Sequence, residues 1–329
     1  MAPPLPSPAD GCVLVTGGAG FIGGRLVAGL RAAGNRVAVL DDASAGLPLP
    51  ARAEGLEVIS GDIRDADLMA RVVAALRPAA IVHLAALHHI PSCTADPRRA
   101  LDINVVGTQS VLDAAATAGV ERVLIASSGA VYDWGVGALS EQSPTSPHDI
   151  YALSKLTNEH QLALWARQPG RWARVARLFN VIGPGDPNGH LIPEVLDRLA
   201  GAARTASAGD PIVLRLGHLD HRRDYIALED AAEGLIALLG DADPAPFSID
   251  NLCSGHELGV EDLVTRLADL LGLRITCLSD PALRRANDRP SQLGAPERAW
   301  RRLGWRVRQP VDSALAEIAA ADGRFALVS

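Results

Sequence analysis

Val13-Leu14-Val15-Thr16-Gly17-Gly18-Ala19-Gly20-Phe21-Ile22-Gly23 is the stretch on which the fold turns. An apolar, β-branched run leads into closely spaced glycines, and residues 21–33 then carry apolar side chains at helical spacing. The glycines match G-x-G-x-x-G from Gly18 and G-x-x-G-x-x-G from Gly17. They permit a tight turn, close approach of backbone to a pyrophosphate, and tight packing of helix on strand. The helix N-terminus adds unpaired N–H groups and the positive end of its dipole. Asp41 ends the next predicted strand, about 20 residues on, where a carboxylate accepts hydrogen bonds from ribose hydroxyls. Asp42 follows it, and no Arg stands adjacent to receive a 2′-phosphate. The unit predicts a dinucleotide site that favours NAD over NADP.

Outward from this unit, strands are predicted at 12–16, 36–40, 57–60, 80–84 and 122–126, with helices at 21–33, 68–76 and 100–118. The alternation implies βαβ units, right-handed crossovers and a parallel sheet covered on both faces. Later, 150–166 reads as a helix, 173–179 as a strand, 193–203, 228–239 and 261–271 as helices, and 275–278 as a short strand. Residues 180–224 are rich in Gly, Pro, Asp and His, which predicts ligand-facing loops. The expected class is α/β. A Rossmann doubly wound parallel sheet occupies 11–180, and a smaller interleaved C-terminal substrate lobe occupies 181–329, returning one strand and one helix to the first domain.

Composition narrows the function classes. The 329 residues are 48% hydrophobic and 21% charged, a globular mix. A net charge of −7 argues against nucleic acid as a partner, because few cations are spare to meet phosphates. No apolar run approaches the roughly 20 residues that span a bilayer, so no membrane partner is expected. The N-terminal MAPPLPSPAD lacks a basic start and an apolar core and reads as a tail, not a signal peptide. Cys12, Cys93, Cys253 and Cys277 form no CxxC pair, which predicts reduced thiols in a cytoplasmic protein and no zinc site.

Tyr151-Ala152-Leu153-Ser154-Lys155 sets Tyr and Lys four apart on one helical face, and Ser128 ends the strand before that helix. An ammonium and an oxidised nicotinamide both favour a phenolate, so the Tyr151 pKa is expected to fall from its usual value near 10. The phenolate can take a proton from an alcohol while hydride leaves the carbon. Ser128 is expected to hydrogen-bond the same oxygen.

With these residues in place, the chain resembles the extended short-chain dehydrogenase/reductases of the nucleotide-sugar epimerase/dehydratase family. The likeness runs from Val13 to about Pro310 through TGGAGFIG, GDIRD, HLAA, NVVGT, SSGAVY, YALSK, RLFNVIGPG, RRDYI and LGW. It implies NAD as cofactor, bound by Gly17, Gly20, Phe21, Ile22, Asp41, Asp42, Asp62, Ile63, Leu84, Ala85, Ala86 and Asn104, together with Tyr151 and Lys155. It implies Ser128, Tyr151 and Lys155 as catalytic. It implies Asn180, Arg223 and Arg289 around a nucleotide-diphosphate sugar (UDP, GDP, dTDP or CDP), with the two arginines on the diphosphate. A homodimer through helices 100–118 and 150–166 is the family expectation.

Members of this family that dehydrate, decarboxylate or epimerise at C3 and C5 carry an acid or a cysteine just after the catalytic Ser or Thr. Here those positions are Gly129 and Ala130. Hydride transfer at C4 alone remains, which implies a 4-epimerase, with a 4-ketosugar reductase second and a dehydratase a weaker third reading. His88 and His89 follow the fourth strand where the family loop nears the sugar, and His88 is a candidate substrate contact. Trp134 reads equally as pocket wall or as core or interface aromatic. His218-Leu219-Asp220-His221 has no third ligand pattern and predicts no metal. LGHLDHRRD resembles the loop of enzymes acting on GDP-mannose derivatives, which keeps the reductase reading open.

Overall fold

The computed structural model describes residues 12–135, 137–204, 211–284 and 288–325. The segment read as an N-terminal tail lies outside them. The β-branched and leucine-rich runs form strands whose inner members are buried on both faces, as a parallel sheet between helices demands. Seven strands make that sheet. In spatial order they are Phe247–Leu252, Trp172–Leu178, β5 (Arg122–Ser128), β4 (Ala80–His83), β1 (Cys12–Thr16), β2 (Arg36–Asp41) and β3 (Leu56–Ser60), and every pair is parallel. One apolar layer, with Val13, Val15, Leu26, Leu30 and Leu235, covers one face. A second, with Leu14, Met69, Val73, Leu112 and Leu162, covers the other.

Strand order reverses at β1, which pairs with β2 on one side and β4 on the other. Ligands of open α/β sheets lie at the carboxyl ends of strands at such a switch point. The glycine loop after β1 and the Leu84–Ala86 turn after β4 meet there. Gly17 has φ +71°, and a Cβ on it would sit 2.6 Å from the Ala85 nitrogen. A Cβ on Gly23 would sit 2.0 Å from the Gly17 carbonyl oxygen. Any larger residue at these two positions forces loop and helix apart.

The C-terminal half is more strand-rich than its composition suggested. Asn180–Ile182 and Ile212–Leu216 are strands within the stretch read as loops. Arg222–Ala227 pairs with Asn180–Ile182, Glu257–Gly259 and Ser291–Gly294, and the last of these pairs with Ala138–Leu139 from the first half of the chain. The short strands escaped the sequence reading because each is stabilised by pairing with a distant segment, not by its own pattern. Helix Leu228–Leu239 packs on the first helix, Phe21–Ala32, and Phe247–Leu252 closes the large sheet beside Trp172–Leu178. No helix of the described residues is long and apolar enough to cross a membrane.

Candidate active site

A cleft of about 1620 Å³ runs between the sheet's carboxyl edge and the C-terminal lobe. It exceeds an ordinary small-molecule pocket and has room for two nucleotide-sized ligands. Gly17, Gly20, Phe21, Ile22, Asp41, Asp42, Asp62, Ile63, Leu84, Ala85 and Ala86 line one arm. His88, Ser128, Tyr151, Lys155, Asn180, Arg223 and Arg289 line the rest.

Asn104 is not on that wall. It is 1% exposed and spends its amide on the Leu87 backbone, accepting from Leu87 N at 2.7 Å and donating to Leu87 O at 2.9 Å. It also donates to Ser154 Oγ at 2.9 Å. Its place is behind the site, holding the loop that carries His88 to the helix that carries Tyr151.

At the dinucleotide end, the Asp41 carboxylate accepts from Ala19 N at 3.0 Å and Ala43 N at 2.8 Å. This ties the acid to the glycine loop and leaves further lone pairs for ribose hydroxyls. Asp42, Ser44 and Ala45 are its cleft neighbours. Asp62 is paired with Arg64 at 2.6 Å, which holds its carboxyl below the usual range. The turn, the free helix N-terminus and the paired acid fit NAD.

At the catalytic end, the Ser128 hydroxyl stands near enough to Tyr151 to favour its ionised form, and Ser128 Oγ accepts from Ala130 N at 3.1 Å. Asp149 caps helix Ile150–Trp165 through Ala152 N at 2.8 Å, fixing Tyr151 in the first turn. Lys155 Nζ donates to the Ala126 carbonyl at 2.9 Å and lies 5.9 Å from the Tyr151 ring centre. Burial pushes the Tyr151 hydroxyl up to about 12 and the Lys155 ammonium down to about 8. The expected fall in the Tyr151 pKa is therefore not a property of the protein alone. Desolvation outweighs the lowering influence of the Ser128 hydroxyl, and the ammonium is spent on a carbonyl.

Several motif letters turn out to be scaffolding. Ser127 donates to Glu159 Oε1 at 2.5 Å, and Arg177 donates to the same carboxylate through Nε at 2.9 Å and Nη2 at 2.6 Å. The Arg177 guanidinium covers the Tyr132 ring at 4.5 Å, and Tyr132 donates to Asn251 at 2.6 Å. This buried chain braces the turn after Ser128. The Asp224 carboxylate accepts from Ser254 N, Gly255 N and Gly294 N at 2.8, 2.9 and 3.2 Å, joining three segments of the lobe beside Arg223.

The two arginines read as one clamp have different partners. Arg223 Nη2 donates to Asp288 at 2.7 Å, and the other Asp288 oxygen lies 3.3 Å from His221 Nδ1. Arg289 Nη2 donates to the Asp133 carbonyl at 2.7 Å. Asn180 donates to the Asp224 carbonyl at 3.0 Å.

His88 faces His190 across the cleft, with ring centres 5.4 Å apart. Burial, with His190 and Lys155 nearby, pushes the His88 imidazole down to about 4, so it is neutral at pH 7. His190 bonds Asp186 at 2.8 Å, and His89 bonds Ser92 at 2.8 Å. His190 was missed because it lies over a hundred residues from His88 in a segment without periodicity. Trp134 lies on the cleft rim, its ring tilted against His148 with centres 4.3 Å apart.

His218, Asp220 and His221 do converge within 4.8 Å. However, the two imidazoles are stacked 3.8 Å apart at 7°. Ring lone pairs lie in the ring plane, so one ion cannot sit in both planes at the roughly 2 Å bond length of a metal–imidazole contact.

Residues 13–249 match the family described as NAD dependent epimerase/dehydratase family. The chain belongs to that family. Its cofactor is accordingly NAD. The chain is 30% identical to GDP-6-deoxy-D-mannose reductase of Pseudomonas aeruginosa, over 93% of this chain and 95% of that one. It is 32% identical to UDP-glucose 4-epimerase of Streptomyces lividans, over 90% and 91%. The structure of UDP-glucose 4-epimerase from Thermus thermophilus in complex with NAD superposes with a TM-score of 0.82 at 28% identity, covering 94% and 98%. Family members thus include both enzymes that invert C4 and one that reduces a sugar, and this chain is a nucleotide-sugar enzyme of the same fold.

Proposed function

We propose that this protein is an NAD-dependent nucleotide-sugar 4-epimerase working through a transient 4-keto sugar. The observation that carries the reading is that Ser128, Tyr151 and Lys155 line one cleft, with Lys155 Nζ 5.9 Å from the Tyr151 ring centre, beside a turn whose next residues are Gly129 and Ala130. NAD, when bound, supplies a reversible hydride acceptor and, oxidised, a positive charge that favours the phenolate. Tyr151 takes the proton of the C4 hydroxyl and returns it to the oxygen on the other face of the sugar. Ser128 holds that oxygen within reach, and Lys155 fixes the geometry and biases the proton. No carboxylate or thiol at 129–130 acts on C5 or C6, so the keto sugar has no local partner for elimination.

Gly17, Gly20, Asp41 and the residues beside them hold the dinucleotide. Asp42 next to Asp41, with no cation among the cleft neighbours there, disfavours a 2′-phosphate, so NAD is preferred to NADP. Arg223 takes the diphosphate of the sugar nucleotide in exchange for Asp288. The protein works as a cytoplasmic homodimer.

Reduction of a 4-keto sugar is the second reading. The LGHLDHRRD loop and the 30% identity to a GDP-6-deoxy-D-mannose reductase favour it. UDP-, GDP-, dTDP- and CDP-sugars assayed by NMR and mass spectrometry separate the two. An epimerase gives two C4 epimers of equal mass without net NADH change. Stoichiometric loss of NADH or NADPH, with a product two hydrogens heavier, establishes the reductase instead.

A further inference from the structure

Gln292 brings a neutral amide to the turn that follows Ser128. It stands on strand Ser291–Gly294, in register with Arg223 on Arg222–Ala227, and the next two residues, Leu293 and Gly294, pair with Ala138–Leu139. Side chains alternate along a strand, so Gln292 and Gly294 share a face. That face meets the Ser128 turn. A Cβ on Gly129 would lie 3.0 Å from Gln292 Nε2 and 3.1 Å from Phe179 Cζ, and a Cβ on Gly294 would lie 2.9 Å from the same Phe179 atom. A side chain at 129 and the Gln292 amide thus compete for one space. Gly129 leaves that space open, and a side chain from a distant strand fills it.

The neighbouring hydrogen bonds fix which way this amide points. Asn180 Nδ2 donates to the Asp224 carbonyl at 3.0 Å, which sets the Asn180 amide nitrogen on that side. The same nitrogen meets Gln292 at 3.3 Å, and an amide NH2 group accepts no hydrogen bond, so Gln292 presents Oε1 to it. Nε2 is then turned toward the Ser128 turn, and among the described residues it has no acceptor. Gln292, Asn180, Ser128 and Tyr151 line the same cleft. A donor fixed on a strand between two others, and left open beside the proposed base, is placed to meet a ligand.

We propose that the Gln292 amide donates from Nε2 to a sugar oxygen beside C4, and that its neutrality keeps the 4-keto sugar from losing a proton. The proposal rests on the nucleotide-sugar reading above and names a specificity residue for it. Ser128 and Tyr151 meet the C4 oxygen, so a donor one residue along the turn faces what the neighbouring carbons carry, the hydroxyl on C3 or the C6 hydroxyl beyond C5. Oxidation at C4 makes the hydrogens on C3 and C5 acidic, because the enolate left behind shares its charge with the ketone oxygen. A carboxylate in this place would take such a proton and return one to either face. A primary amide is not basic enough to do so, while its N–H still holds the oxygen.

The test gives the NAD-loaded protein UDP-glucose and GDP-mannose, each with its 3-deoxy and 6-deoxy form, and reads binding by calorimetry. The unaltered protein should bind the parent sugar roughly tenfold more tightly than one of its deoxy forms, the scale of one buried donor left unpaired. The form that loses affinity identifies the oxygen. Gln292→Leu should bind that deoxy form and the parent alike, with Tm and binding of free UDP and GDP unchanged. Equal affinity of the unaltered protein for the parent and both deoxy forms overturns the proposal and leaves the epimerase reading standing. So does loss of free UDP or GDP binding in Gln292→Leu, which would assign the residue to the nucleotide. A second arm follows turnover in D2O by NMR. The unaltered protein should leave C3 and C5 unlabelled, and Gln292→Glu should place deuterium on one of them. Label in the products of the unaltered protein, or none in those of a Gln292→Glu variant that still inverts C4, overturns the proposal. If Gln292→Glu does not turn over, the binding ratios alone decide. They also decide if NADH is consumed instead of C4 being inverted, in which case the epimerase reading fails.

Discussion

Tyr151, the base we propose, stands in a place that does not by itself make it one. With its hydroxyl pushed up to about 12, it is protonated at neutral pH until charge is brought to it. Lys155, pushed down to about 8, is the resident cation, but its Nζ is held on the Ala126 carbonyl. Tyr151→Phe keeps the ring and removes the proton acceptor. Turnover should fall by roughly 10²–10⁴ with thermal stability retained. Near-normal turnover of the variant on its substrate would remove Tyr151 from the proposal. Arg223→Ala should weaken sugar-nucleotide binding by about 1.5–3 kcal/mol, the scale of a hydrogen bond to a charged group, with NAD affinity nearly unchanged. Calorimetry showing equal loss of both ligands would assign Arg223 to the fold.

At the scale of elements, the residues behind the site decide its shape. The helix read as one run at 100–118 is an α-helical turn, Pro97–Leu101, then a π-helical turn, Asp102–Val106, then an α-helix, Gly107–Ala118. The π turn widens the helix where Asn104 reaches the Leu87 loop and Ser154, and such insertions recur at functional sites. His83, at the end of β4, ties this helix to β1. The Thr108 hydroxyl donates to the Asn104 carbonyl at 2.5 Å, so His83 Nε2 must donate to Thr108 at 2.8 Å. His83 Nδ1 then accepts from Thr16 at 2.6 Å. Burial, with Lys155 nearby, pushes this imidazole from its ordinary 6.5 down to about 3. Between those values the unfolded chain binds the extra proton and the folded one does not. The His83 contribution is therefore intact above pH 6.5 and is lost as pH falls toward 3. Urea unfolding at pH 7 and pH 4.5 should show a stability loss on the order of 2 kcal/mol in the unaltered protein that His83→Asn lacks. Equal losses in both would place the acid sensitivity elsewhere.

At the scale of the whole molecule, the proposed homodimer would close on helix Ile150–Trp165, on the face turned away from the sheet. Leu153 and Leu164 are exposed there and, eleven residues apart, share that face, with Val106 exposed on the neighbouring helical run. Apolar side chains so placed fit burial against a second copy of the same helices. Sedimentation should find a dimer for the unaltered protein and a monomer for Leu153→Asp/Leu164→Asp, with NAD binding kept. A dimer that survives both substitutions would put the interface on another surface.

Residues 13–23 and Asp41 determined the dinucleotide half on their own, because a glycine turn between a buried strand and a helix has few other uses and acts over a handful of residues. That Tyr151 and Lys155 stand together beside the cleft was legible for the same reason: their spacing is local to one helix. The placement of Asn104 behind the wall, the pairing of His88 with His190, the partition of Arg223 and Arg289 between different partners, and the short strands of the C-terminal lobe were decided only in the folded chain. Each depends on contacts between segments tens to hundreds of residues apart, and burial there, not residue type, sets which groups are charged, spent or left without a partner.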